Sequence, residues 1–404
     1  MRRLLFTAPL LFLAACGLDG TDGQDDDREA AETSQAASPN PDLAGLEEVD
    51  IRDPEQRPIM RVQVVLDQLG FGPGIVDGKM GLSTENGLQG FQEANGLTVT
   101  GKLDEDTEAA LARWDDVPAT KVVRIPEGWS EAGYRAVPEE PEDQAELEAL
   151  GYESLEERLA ERFHTTPEVL NQLNPGGRPA GASEAGGSPG AGAGASAEDV
   201  PAYPPRTRVT PTPRPSASQS AEDEPSFRPG QLVRVPNVGG RAAGSGSADD
   251  QDWQRTLASL GVSADQPDAG RIVVDKSEGT LRAYGEGDKL LALFTVTTGS
   301  EHDPLPLGEW KINVVSKNPP FNYNPDLFWD AKPGDEKVQL PPGPNGPVGV
   351  VWIDLSKEHY GIHGTPEPQT IGRAQSHGCV RLANWDAARL AQMVGTSTKV
   401  IFQA

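Results

Sequence analysis

The sequence predicts a multidomain chain: a small three-helix module, an α+β module interrupted by a disordered insertion, and a C-terminal, mostly β domain. Three observations predict it. With 45 Gly, 36 Pro and only 36% hydrophobic residues in 404, the chain is too poor in apolar residues for one large core. In the N-terminal half, apolar residues recur at helical spacing, as at Val62, Val65, Leu66 and Leu69. From Arg271 onward, short apolar runs divided by turn residues take over. Several small domains joined by flexible links are expected.

The first residues read as an export signal, 1–15. Arg2 and Arg3 precede an apolar run from Leu4 to Leu13 that is too short to span a bilayer. Leu13-Ala14-Ala15-Cys16 follows and resembles the lipobox of bacterial lipoproteins. The resemblance implies cleavage before Cys16 and lipidation of that residue. Gly17, in place of Asp, favours an exported, periplasmic protein anchored by lipid at the outer membrane. Residues 16–58 are polar, acidic and poor in aromatics, and read as a lipidated disordered tether. If Cys16 carries lipid, the second of the two cysteines, Cys379, has no partner and is a free, reactive thiol.

The net charge of −27 is unevenly spread. Residues 271–404 hold 13 Lys and Arg against 15 Asp and Glu, which leaves 22 against 47 for the rest. Nucleic acid is a poor partner for such a chain, because phosphate contacts need Lys and Arg. The acidic stretches, such as Asp25-Asp26-Asp27, read as solvating linker segments.

The three-helix module spans 59–115. The first helix stops at Gly70-Phe71-Gly72-Pro73-Gly74. Ser83 and Thr84 are placed to cap a second helix carrying Leu88, Phe91 and Gln92, and Asp104 to Leu111 reads as a third. The run Asp77-Gly78-Lys79-Met80-Gly81-Leu82-Ser83-Thr84, followed by Phe91-Gln92 and Leu97-Thr98-Val99-Thr100-Gly101-Lys102-Leu103-Asp104, resembles the peptidoglycan-binding domain common in wall enzymes.

The α+β module spans 150–236. Ser154 and Glu157 form a capping-box pattern before a helix with a Leu155, Leu159, Phe163 stripe. His164 on this helix is expected at the surface. Thr166-Pro167-Glu168 opens a second helix that ends at Asn174-Pro175-Gly176. These helices resemble part of a LysM module whose last strand, around Leu232-Val233-Arg234-Val235, lies beyond a Gly/Ala/Ser/Pro-rich insertion at 177–226. A linker, 237–252, leads to a short helix with Trp253, Leu257 and Leu260.

The last domain covers 270–403. Strands are expected at Ile272–Asp275, Thr280–Tyr284, Leu290–Thr298, Trp310–Val315, Val348–Leu355 and Val400–Phe402. A helix from Trp385 to Val394 has Asn384 as its expected cap. Residues 318–337 read as a long loop.

The chemistry concentrates in His363-Gly364-Thr365 and Ser376-His377-Gly378-Cys379-Val380-Arg381-Leu382. Thiolate is a strong nucleophile, and an imidazole can take the thiol proton or hold the thiolate as an ion pair. On an extended strand His377 and Cys379 share a face. Gly378 lets substrate approach the backbone, and its N–H and that of Cys379 suit an oxyanion. A zinc site from His363, His377 and Cys379 is a lesser alternative, since no further ligand pair accompanies them. No cofactor is required.

The same pattern resembles the signature of L,D-transpeptidases with the YkuD-type catalytic domain. Pro306-Leu307-Gly308-Glu309-Trp310 and Pro341-Pro342-Gly343-Pro344-Asn345 extend the likeness. The resemblance implies Cys379 as nucleophile, His363 as proton acceptor and donor, and His377, Gly378, Ser376, Gly364 and Arg381 in oxyanion or orienting roles. Arg381 serves equally well as a structural ion-pair partner. The implied substrates are peptidoglycan stem peptides and glycan, with release of D-Ala and then cross-linking or exchange. The acceptor is open, a lipoprotein lysine included. Hydrolysis at the same site, or a purely tethering role between outer membrane and wall, are the alternatives.

Overall fold

The computed structural model describes residues 46–131, 133–182, 227–239, 251–300, 302–327, 334, 336–373, 376 and 378–404. The signal and lipobox with Cys16, most of the 177–226 insertion, most of the 237–252 linker and His377 lie outside the described residues. Among the described residues no helix is long and apolar enough to cross a membrane.

Residues 46–57, within the stretch expected as a tether, belong to the described residues. A short strand, β1 (Glu48–Val49), pairs with residues Val122 and Val123 much further along the chain. Three helices follow: α1 (Pro58–Leu69), α2 (Leu82–Ala94) and α3 (Glu105–Leu111). Pro58 opens α1 without losing a needed donor, and Gly70 closes it at φ +90°. Asp104 caps α3 by accepting from Thr107 N–H (3.0 Å). The cap expected for α2 is not made. The helix starts at Leu82, and Thr84 is buried instead, beside the Gln63 amide.

Two glutamines organise the loops of this module in the same way. Gln63 Oε1 accepts from the N–H of Asp77 (3.2 Å) and Gly78 (2.7 Å), while Nε2 reaches Lys79 O and Thr84 Oγ1 (3.1 Å each). Gln92 Oε1 accepts from Thr100 (2.8 Å) and Gly101 (2.9 Å), while Nε2 reaches Lys102 O (3.0 Å) and Thr107 Oγ1 (2.8 Å). The loop glycines Gly78 and Gly101 stand at positive φ. Each buried amide thus replaces the hydrogen bonds that an irregular loop cannot make with itself.

The strand β2 (Thr120–Arg124) joins β1 to β3 (Leu232–Pro236) in a three-stranded antiparallel sheet. Between β2 and β3 lie α4 (Pro141–Ala145), α5 (Leu155–Arg162) and α6 (Pro167–Leu173). Ser154 and Thr166 cap α5 and α6. Leu159, Phe163, Leu170, Val233 and Val235 fill one core. Asn174 bonds both the N–H (2.7 Å) and the C=O (2.8 Å) of Arg234, so the returning strand is fixed to the end of α6.

Helix α7 (Gln251–Leu260) precedes the β domain. Its strands are β4 (Arg271–Asp275), β5 (Thr280–Tyr284), β6 (Leu290–Thr295), β7 (Gly308–Lys317), β8 (Phe321–Tyr323), β9 (Val338–Leu340), β10 (Val351–Leu355), β11 (Gly361–His363) and β12 (Val380–Arg381). Helix α8 (Asn384–Met393) and β13 (Lys399–Gln403) complete it. Eight strands form one sheet in the order β12-β11-β10-β7-β13-β4-β5-β6. The expected loop at 318–337 is in part a ribbon, β8 pairing with β9.

The modules pack against one another. The edge strand β6 is covered by α2, where Asn86 Nδ2 donates to Thr295 Oγ1 (3.0 Å). A Cβ at Gly90 would sit 2.8 Å from Leu293 Cβ, so only glycine allows this approach.

His164, expected at the surface, is fully buried. Its Nδ1 meets Asp67 Oδ1 of α1 (2.9 Å), its Nε2 meets Leu260 O at the end of α7 (2.8 Å), and its ring stacks on Trp385 of α8 at 4.9 Å. Both ring nitrogens face acceptors, so both bonds form together only when the ring carries both protons. Arg389 of α8 donates to Asp67 O (2.9 Å). Burial opposes ionisation of Asp67, but His164 and Arg389 overcome it and hold the carboxyl at about 2.

Candidate active site

Strands β11 and β12 run parallel, with Ile362 opposite Val380 and His363 opposite Arg381. Cys379 immediately precedes β12, and His363 ends β11. The topology therefore brings together residues that are separated in sequence.

His363 is buried, with its ring against Trp352 at 5.6 Å. Its Nδ1–H donates to Gly364 O (2.7 Å), which leaves Nε2 as an acceptor. Burial first, then the positive charge of Arg381, pushes the imidazole down to about 3. Cys379 is half-buried, and burial raises its thiol. A hydrogen bond from the Gly361 backbone and the Arg381 charge pull the other way, while Asp303 adds to the rise. The resting pair is thus a neutral thiol and a neutral imidazole, so of the two arrangements the sequence allows, the ion pair is not the ground state. The Cys379 thiol points at His359 O (3.8 Å) in this state.

Gly378, directly before Cys379, is not extended. Gly378 has φ +101° and turns the chain into β12. The space of its missing Cβ is taken by the Tyr360 ring, whose Cε1 would lie 2.7 Å from such an atom. Ser376 Oγ donates to Cys379 O (2.6 Å), and its backbone pairs with Thr298 and Ser300 (3.2 Å each). Gly364 packs so closely on Asn384 that a Cβ would overlap Oδ1. Arg381 is half-buried, and its backbone bonds Thr297. His377 lies outside the described residues.

Asn384 was misread as a helix cap. Helix α8 starts at Asn384 itself with no side-chain cap, and the amide is fully buried. Its Nδ2 donates to Glu161 Oε1 of α5 (2.7 Å) and Pro344 O (3.0 Å), while Oδ1 accepts from Val350 N–H (3.3 Å). Tyr360, Asp303 and Trp352 were also missed. Tyr360 sits just ahead of the three-residue strand carrying His363, but nothing local marks any of them. Among the described residues no group of His, Cys, Asp and Glu could hold a metal ion.

Residues 269–402 match the family model for the YkuD L,D-transpeptidase catalytic domain, and residues 56–111 that for a putative peptidoglycan binding domain. The chain is 36% identical over 130 residues to the putative L,D-transpeptidase YkuD of Bacillus licheniformis, covering 32% of this chain and 63% of the relative. It is 29% identical over 135 residues to the probable L,D-transpeptidase YbiS of Escherichia coli, covering 32% of this chain and 44% of the relative. It therefore spans less than two thirds of the length of both. A solved L,D-transpeptidase from Mycobacterium smegmatis aligns with 21% identity over 34% of this chain and 59% of that chain, at a TM-score of 0.28.

Proposed function

We propose that this protein is a peptidoglycan L,D-transpeptidase acting through Cys379 and His363. The observation that carries the reading is the fixed His363 tautomer on the strand paired with the one that begins just after Cys379, inside the region that matches the transpeptidase family model. His363 Nε2 takes the thiol proton as sulfur attacks the carbonyl of the third, diamino-acid residue of a tetrapeptide stem. The neutral resting pair means that this proton moves during attack, once bound substrate turns the thiol away from His359 O. The N–H groups of Gly378 and Cys379 meet the oxyanion, with His377 in support. His363 gives the proton to the departing D-Ala nitrogen as the C–N bond breaks and the thioester forms. An amine then attacks, its proton passing through His363 back to sulfur.

Ser376 orients the nucleophile loop through its bond to Cys379 O, Gly364 fixes the base, and Arg381 adds to the burial that keeps His363 neutral. The α1–α3 module binds wall. The order β2-α5-α6-β3 supports a LysM-like second wall module, and Cys16 carries a lipid anchor at the periplasmic face of the outer membrane. The acceptor is a second stem or a lipoprotein lysine.

Mass spectrometry of muropeptides incubated with wild-type protein and Cys379→Ala tests the reading. New cross-linked or exchanged stems with free D-Ala are expected from wild type only. Trimming without any new amide would make the enzyme a carboxypeptidase, and D-Ala release by Cys379→Ala would refute the mechanism. Sacculus binding that persists without any turnover would leave only a tether.

A further inference from the structure

The segment between β6 and β7 returns to the active site. Ser300 N–H donates to Ser376 O (3.2 Å), and Ser300 Oγ accepts from the N–H of His302 (3.1 Å) and of Asp303 (3.0 Å). This turn brings the Asp303 carboxylate within electrostatic range of both the Cys379 sulfur and the Tyr360 hydroxyl. Asp303 Oδ2 is buried with no hydrogen-bond partner, and among the described residues the side chain enters no ion pair. A buried acceptor left without a donor is costly. Its charge also opposes thiolate formation at Cys379. The carboxylate therefore works against the first half of the proposed reaction, where the thiol loses its proton.

The second half needs what Asp303 offers. The acceptor arrives as an ammonium ion, and a carboxylate beside the thioester gathers and orients it. We propose that Asp303 is an acceptor-specificity residue that binds the ammonium group of the incoming amine next to the Cys379 thioester. The assignment rests on the transpeptidase reading and deepens it. The ammonium releases one proton to solvent; its lone pair then attacks, the C–S bond breaks, and the second proton travels through His363 to sulfur. Water has no charge to offer Asp303, so the carboxylate biases the thioester toward aminolysis.

The full chain is assayed with a soluble tetrapeptide ending in D-Ala as donor and a diamino-acid tripeptide as acceptor, comparing wild type with Asp303→Asn. D-Ala release reports acylation, and mass spectrometry reports the new amide. Asp303→Asn should raise the acceptor KM about tenfold and send more thioester to water, while D-Ala release without acceptor is not slowed. An acceptor KM within twofold of wild type, or equal loss of both half-reactions, would overturn the assignment. A second measurement does not need turnover: Nα-acetyl-lysine methylamide should slow iodoacetamide alkylation of Cys379 in wild type and not in Asp303→Asn. Protection in a wild type that releases no D-Ala supports the ammonium site and sinks the transpeptidase reading. Protection that is absent, or equal in both proteins, overturns the site.

Discussion

Replacing Asp67 by Asn should unlock the modules from one another. Asp67 is 2% exposed and meets both His164 and Arg389, which come from two other parts of the chain. Its carboxyl is held at about 2 against a usual 3.8, so its ionised form gains about 2.5 kcal/mol in the fold. Asn keeps the shape, removes the charge and leaves the buried Arg389 guanidinium without its counter-ion, for which about 3–5 kcal/mol is the expected loss. We therefore expect Asp67→Asn to lose about 3 kcal/mol at pH 7. The sign with pH follows from the direction of the shift. A depressed carboxyl stabilises above its unfolded value of 3.8, and that contribution is lost as pH falls through about 2. The gap between wild type and variant should narrow below pH 4 and close near pH 2. Urea unfolding followed by tryptophan fluorescence reads it, because Trp385 stacks on His164. A gap under about 0.5 kcal/mol at pH 7, or one that is unchanged at pH 3, would refute the reasoning.

Three further outcomes are expected. Burial raises Glu161 and Asp386 to about 7 each, so the stability they allow is present below their ordinary 4.5 and 3.8 and is lost as pH rises through 7. The wild-type Tm should fall between pH 5 and 8, and Asp386→Asn should flatten that fall in calorimetry. His363 is neutral down to about 3, so kcat/KM measured across pH 5–7 should show no acid limb from this residue. Gly378→Ala meets Tyr360 at 2.7 Å with φ +101°, and D-Ala release should drop about 100-fold with stability lowered by about 1–3 kcal/mol.

The legible parts were those written in local pattern. Helices α1, α5 and α6 follow from apolar spacing, from Ser154 and Thr166 as caps, and from Gly70 as a stop. The strands of the β domain follow from short apolar runs between turns. Cys379 and His363 stood out because thiol and imidazole are rare here and glycines surround them. The misreadings share one cause. His164, Thr84 and Asn384 were read from their neighbours in sequence as surface or capping residues, yet each is buried against a distant segment. A capping position and a buried hydrogen-bonding position call for the same polar side chains, so the local signal cannot separate them.

By itself the sequence determined most of the helices and strands, and it singled out Cys379 and His363 as the thiol and imidazole on which the proposed chemistry rests. The tertiary structure alone decided that helical module, α+β module and β domain are one packed body. It also decided that burial holds the resting thiol and imidazole uncharged, that the Tyr360 ring packs on Gly378, and that the charge of Asp303 reaches the sulfur. Periodicity and capping act over a few residues and are written in the chain. Burial, charge environment and contacts between segments more than 200 residues apart, such as Asn384 with Glu161, exist only once the chain has closed on itself.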